Sequence, residues 1–143
     1  MQLRSKRFVI CALIGFVILA LAHSTRAQEK SKGIEVGYSA ICLDVQDREP
    51  VGVDTTFHSN VGLLFCFTRI EGATDSTAVT HVWYYGDKKV AEVTLPVKSP
   101  RWRTYSKKKI FPQWTGKWNV VILSEAGDPL AQLSFFIKAT QNE

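Results

Sequence analysis

From residue 36 onward the chain alternates. Ala91, Val93, Leu95 and Val97 fill every second position, with Val90, Glu92 and Thr94 between them. Ala131, Leu133, Phe135 and Ile137 do the same against Gln132 and Ser134. A period of two sends one set to one side of an extended strand and the other set to the opposite side. That is the pattern of strands with one face packed and one in water. No segment beyond residue 36 sustains the 3.6-residue stripe of an amphipathic helix. The predicted strands are Val36–Val45, Val51–Phe57, Val61–Ile70, Ala78–Tyr85, Lys88–Val97, Arg101–Ile110, Lys117–Leu123 and Leu130–Lys138. Turn-forming residues separate them: Ser59-Asn60, the polar run Glu71–Thr77, Gly86-Asp87, Ser99-Pro100, Pro112–Gly116 and Glu125–Pro129. About eight short strands at this spacing predict an all-β fold, an antiparallel Ig-like β-sandwich.

The first residues follow a different rule. Arg4, Lys6 and Arg7 precede an uncharged run from Phe8 to Ala22, and a short polar stretch follows to Ala27. A basic start, an apolar centre and a small-residue exit make a signal peptide of the general secretory route. The apolar run is shorter than the roughly 20 residues a spanning helix needs. Cleavage after Ala27 is expected, with Ala22 or a retained anchor as the alternatives. Residues 28–35 then read as a flexible polar lead-in and 36–139 as a single β-sandwich domain. The product is expected in the periplasm or cell envelope, or outside the cell, with no stable membrane span.

Setting the signal aside changes the charge and the cysteine count. The whole chain has 18 Lys+Arg against 13 Asp+Glu. Four of the basic residues (Arg4, Lys6, Arg7, Arg26) and no acid lie within 1–27, so the exported part is near neutral. This argues against nucleic acid as a partner. Cys11 leaves with the signal, and Cys42 and Cys66 remain as a possible disulfide in an oxidising compartment. The alternative is two buried free thiols. Neither their spacing nor the scattered acids form a metal-binding pattern, so no metal or cofactor is expected.

The informative stretch runs from His81 to Trp118 and holds all four tryptophans: Trp83, Trp102, Trp114 and Trp118. Large rings of this kind fill the space between two sheets, and Trp118 at the head of an apolar strand fits that role. Arg103 then becomes a structural residue, hydrogen-bonding loop carbonyls or pairing with Glu49 or Asp47. In the functional reading, His81, Trp83, Arg101, Trp102, Arg103, Tyr105 and Trp114 form a candidate binding surface. Trp102 and Trp114 are its expected exposed rings, and Arg101, Arg103 and Lys107–Lys109 supply donors for carboxylates, phosphates or sugar hydroxyls. No catalytic constellation appears: there is no nucleophile elbow, P-loop or dinucleotide motif, and His81 stands alone.

The segment Ala40–Ile137 resembles the bacterial family catalogued as domain of unknown function 2914. The pieces that carry the resemblance are ICLDVQDREPV (41–51), LLFCFTRIEG (63–72), THVWYYGDKKVAEVTL (80–95), RWRTYSKK (101–108), GKWNVVILSEAGDPL (116–130) and LSFFI (133–137). Arg48, His81, Trp83, Arg101, Trp102, Arg103, Tyr105, Ser106 and Trp118 stand in its motif-bearing positions. The resemblance implies a compact extracytoplasmic β domain, favours pairing of Cys42 with Cys66, and implies no activity.

The expected function is therefore a non-catalytic binding domain of the bacterial envelope, its partner an envelope protein or a glycan. The rival readings are an enzyme acting on glycan or peptide through His81, and an accessory structural domain working through another protein. N-terminal sequencing of the exported chain is expected to begin at Gln28. A start at Leu3 or earlier would instead mean a retained anchor.

Overall fold

Each predicted alternation becomes a strand whose buried residues are the apolar set. The computed structural model describes residues 33–141. The expected signal segment 1–27, with Cys11 and both expected cleavage sites, lies outside the described residues. The strands in chain order are β1 (Glu35–Cys42), β2 (Asp44–Gln46), β3 (Glu49–Val51), β4 (Thr56–His58), β5 (Leu63–Glu71), β6 (Thr77–Tyr85), β7 (Lys88–Val97), β8 (Arg101–Lys109), β9 (Gly116–Ser124) and β10 (Pro129–Lys138). No helix among the described residues is long and apolar enough to cross a membrane.

Two sheets face each other. One has the order β1-β5-β8 and the other β4-β10-β9-β6-β7. Consecutive strands cross between the sheets at β4–β5, β5–β6, β7–β8 and β8–β9, which is the Greek-key wiring of an Ig-like sandwich. Pairing is antiparallel throughout, except that β4 runs parallel to β10. The turn expected at Gly86-Asp87 joins β6 to β7, with Tyr85 opposite Lys88 and Gly86 at φ 57°.

The main departure from the expected strands lies between residues 42 and 58. Asp47 and Arg48 both have positive φ, 50° and 64°, and fold Asp44–Val51 into a small hairpin, β2 against β3. Without a glycine the turn carries no strong signal, although Asp tolerates this conformation better than most residues. The predicted Val36–Val45 therefore ends at Cys42. The predicted Val51–Phe57 is replaced by β3, a loop and the short β4.

The core lies between the sheets in two apolar groups. One gathers Ile41, Phe57, Leu64, Cys66, Trp83, Ile110, Trp118, Val120, Phe135 and Ile137. The other gathers Ile70, Ala73, Val79, Val97 and Ile122, with Trp102 packed against it. Trp83 sits on β6 beside Cys66 of β5, the places where an immunoglobulin domain keeps its buried tryptophan and its first inter-sheet cysteine.

The bridge expected between Cys42 and Cys66 is absent: both are buried free thiols. Register explains this. Ile41 pairs with Cys66 and Cys42 with Phe65. Directly paired residues share a face and neighbours along a strand do not. Cys66 thus faces the core while Cys42 faces the other side of the sheet, so their Cβ vectors diverge and no bridge can close without moving backbone. Burial raises the pKa of both thiols, keeping them protonated and unreactive. In a chain starting at Gln28, a thiol reagent is expected to modify neither cysteine in the folded state and both after unfolding. Rapid native-state modification of Cys66 would contradict its placement.

Candidate functional site

The most polar feature of the interior is a chain of hydrogen bonds at its waist. His81 lies on the inward face of β6, between Val79 of one apolar group and Trp83 of the other. It is fully buried, as is Thr68, and Ser106 is nearly so. His81 Nδ1 lies 2.8 Å from Ser106 Oγ, and His81 Nε2 lies 3.3 Å from Thr68 Oγ1. Trp83 Nε1 donates to Ser106 Oγ at 3.0 Å, and Thr68 Oγ1 donates to the Thr104 carbonyl at 3.3 Å.

The proton directions follow from chemistry. An indole nitrogen only donates, and the Thr68 proton is committed to Thr104. Thr68 must therefore accept from His81 Nε2–H. That leaves Nδ1 bare to accept the Ser106 hydroxyl proton. Every member is satisfied with a neutral imidazole, and among the described residues no buried side-chain polar atom lacks a partner. Burial pushes the His81 pKa down to about 4.

His81 and Trp83 are thus interior residues that tie β6 to β5 and β8. Three surface hollows, of about 750, 360 and 400 Å³, are lined by other residues, and none of the three reaches His81. The rival reading of His81 as an acid or base would need solvent access, and the side chain has none in this structure.

The remaining predicted residues separate into two places. Trp102 points inward from β8 and is half-buried against the group around Ile70. Trp114, in the loop after β8, is also half-buried. It stacks on Tyr85 at 5.6 Å and 9°, its carbonyl accepts from Trp118 Nε1, and Lys108 Nζ lies 5.1 Å from its ring. The expectation that Trp102 and Trp114 are the exposed rings is therefore corrected. Trp102 packs because β8 turns its even positions toward the other sheet, and Trp114 because its loop lays the ring on Tyr85 and Trp118.

The odd positions of β8 turn outward. Arg101, Tyr105, Lys107 and Lys109 are exposed, and Tyr105 retains 47% of its accessible surface. Arg103 shares this face, where its guanidinium pairs with Glu49 of the β2–β3 hairpin at 2.8 Å. The structural role considered for Arg103 is thus realised: it pins the hairpin onto the sheet. Register brings further residues to the same face. Phe67 pairs with Tyr105, Phe65 with Lys107 and Arg69 with Arg103, while Tyr38 pairs with Arg69. Phe65 and Tyr105 lie 5.7 Å apart, and Arg69 Cζ lies 5.9 Å from the Tyr38 ring. Arg69 is also held by Glu71 at 2.9 Å. This leaves Arg101, Lys107 and Lys109 as cations without an ion-pair partner among the described residues.

Tyr38, Phe65 and Arg69 were not singled out from the sequence. Their strands carry no basic or aromatic run, and only cross-strand pairing brings them beside β8. The one available signal was the alternation Arg101, Arg103, Tyr105, Lys107, Lys109.

A stability consequence follows from the buried imidazole. Below its ordinary value near 6.5 the unfolded chain takes up a proton that folded His81 refuses until about pH 4. The stabilisation is complete above about 6.5 and is lost as pH falls toward 4, by roughly 3 kcal/mol in all. Urea unfolding at pH 7.5 and 4.5 is expected to differ by about 2–3 kcal/mol from this residue. The His81→Gln variant should lose that increment. An identical pH dependence in both proteins would contradict a neutral buried His81.

A search of curated proteins finds no match to this chain. Among solved structures, an endonuclease/exonuclease/phosphatase from Beutenbergia cavernae DSM 12333 is similar at 14% identity and a TM-score of 0.33, over 72% of this chain and 35% of that one. The chain spans about a third of that protein's length, and a likeness so slight carries no argument. The motif pieces 41–51 and 63–72 precede the segment that matches a family. Residues 76–137, which contain β6 to β9 and nearly all of β10, match the family described as Protein of unknown function (DUF2914), the family that the sequence motifs resemble.

Proposed function

We propose that this chain is an exported, non-catalytic binding domain of the bacterial envelope, and that it holds an extended carboxylate-bearing ligand along the outward row of β8. The observation that carries this reading is the run of four cations and one exposed tyrosine at alternate positions on one face. Alternate residues recur about every 6.6 Å along a strand, so the row offers evenly spaced donors to a linear ligand rather than a pocket to a small one. Arg101, Lys107 and Lys109 are free to engage such a ligand. Tyr105 supplies an apolar surface and a hydroxyl at the centre of the row.

Exposed charges give specificity and association rate more than affinity, and salt screens them. Binding of oligogalacturonate and of polyglutamate, followed by calorimetry at low salt, is therefore expected to weaken steeply as salt is added. The double variant Arg101→Glu, Lys107→Glu should lose at least about tenfold in affinity, or about 1.4 kcal/mol. Lys88→Glu, Lys89→Glu on β7 of the other sheet serves as the control and should bind normally. Equal losses in both variants would reduce the effect to net charge and remove the site.

A further inference from the structure

We infer that the open edge of β8 is a strand-addition site, taken by an extended acidic peptide whose carboxylates fall at alternate positions. This rests on the reading that β8 is the binding element, and it names the ligand class and the mode of contact. The first observation is geometric. β8 ends the β1-β5-β8 sheet, so among the described residues one row of its backbone groups has no partner strand. In the seven-stranded immunoglobulin arrangement a fourth strand stands at this place. β8 pairs with β5 without a break from Arg101 to Lys109 and contains neither proline nor glycine.

The other edges are blunted. β1 has an irregularity between Val36 and Tyr38, and β4 is three residues long. β7 carries Pro96, and its pairing shifts at Trp83/Tyr84. Proline, bulges, short length and charged side chains are the usual protections of a sheet edge. β8 has only the last, its row of cations.

The second observation is charge. A second copy aligned antiparallel about Tyr105 sets Arg101 against Lys109 and Arg103 against Lys107. Cross-strand like charges are unfavourable, so the row repels its own kind and admits its opposite. Specificity of this form needs both the attraction and the repulsion. Backbone bonds to the edge then supply affinity, and alternate carboxylates supply the choice of partner. The position facing Tyr105 is open to an aromatic residue. Positions beside half-buried Trp102 and Thr104 suit small side chains.

The test uses two fluorescent nine-residue peptides of one composition: Glu-Thr-Glu-Thr-Tyr-Thr-Glu-Thr-Glu, and the reordered Thr-Thr-Glu-Glu-Tyr-Glu-Glu-Thr-Thr. Anisotropy gives affinity, and residue-resolved hydrogen exchange reports the β8 amides. The alternating peptide is expected to bind at least about tenfold more tightly, to slow exchange at alternate amides of Arg101–Lys109, and to lose this advantage in Arg101→Glu, Lys107→Glu. Equal binding of the two peptides with unchanged β8 exchange overturns strand addition and leaves the carboxylate-binding face standing. Binding of oligogalacturonate alone does the same. Binding of none of these probes overturns both readings. A peptide-free dimer that protects β8 would show that a second copy, rather than an acidic peptide, takes the edge.

Discussion

The hydrogen-bond chain through His81 decides how the two sheets face each other. Apolar surfaces can slide over one another at modest cost, but a buried polar group without its partner costs about 1–3 kcal/mol. Trp83, Ser106, His81, Thr68 and the Thr104 carbonyl each need the next member in place. The chain joins β6 of one sheet to β5 and β8 of the other, at the narrow place between the two apolar groups. Low dielectric strengthens such a network when complete and makes any gap expensive.

The same bonds set the parity of β8. Ser106 must face His81, so Trp102, Thr104 and Lys108 turn toward the other sheet, and Arg101, Arg103, Tyr105, Lys107 and Lys109 turn away. A slip of one residue would carry the cations inward and expose the network. The proposed binding row is therefore a consequence of the core: the interior histidine is remote from any ligand, yet it determines which side chains a ligand meets.

The β2–β3 hairpin divides the outer face. Its Glu49 holds Arg103, and Phe67 and Cys42 are buried on that side of the sheet. What remains open is the β8 margin, with Tyr105 at its centre. The tryptophans follow the same division. Trp83 and Trp118 are fully buried with Phe135, while Trp114 and Trp102 close the two ends of the interior. Aromatic density in this sequence is chiefly core filling, and the exposed rings are Tyr38, Tyr105, Phe111 and Phe136, with no tryptophan among them.

The sequence by itself determined the fold class, six of the longer strands within a residue or two, and the hairpin at Gly86-Asp87. Alternation and turn chemistry are local, so they survive without knowledge of the partner strand. It also determined that Trp118 belongs inside and that Arg103 could pair with Glu49. Only the tertiary structure decided which face of β5, β6 and β8 is inward, that Cys42 and Cys66 diverge, that the Asp47-Arg48 turn makes a hairpin, and that Trp102 packs while Tyr105 is open. The reason is physical. A period of two says that neighbours point opposite ways, but burial is assigned by what lies across the sheet and across the sandwich. Those contacts join residues such as His81 and Ser106, whose distance along the chain leaves no trace in either one's local sequence.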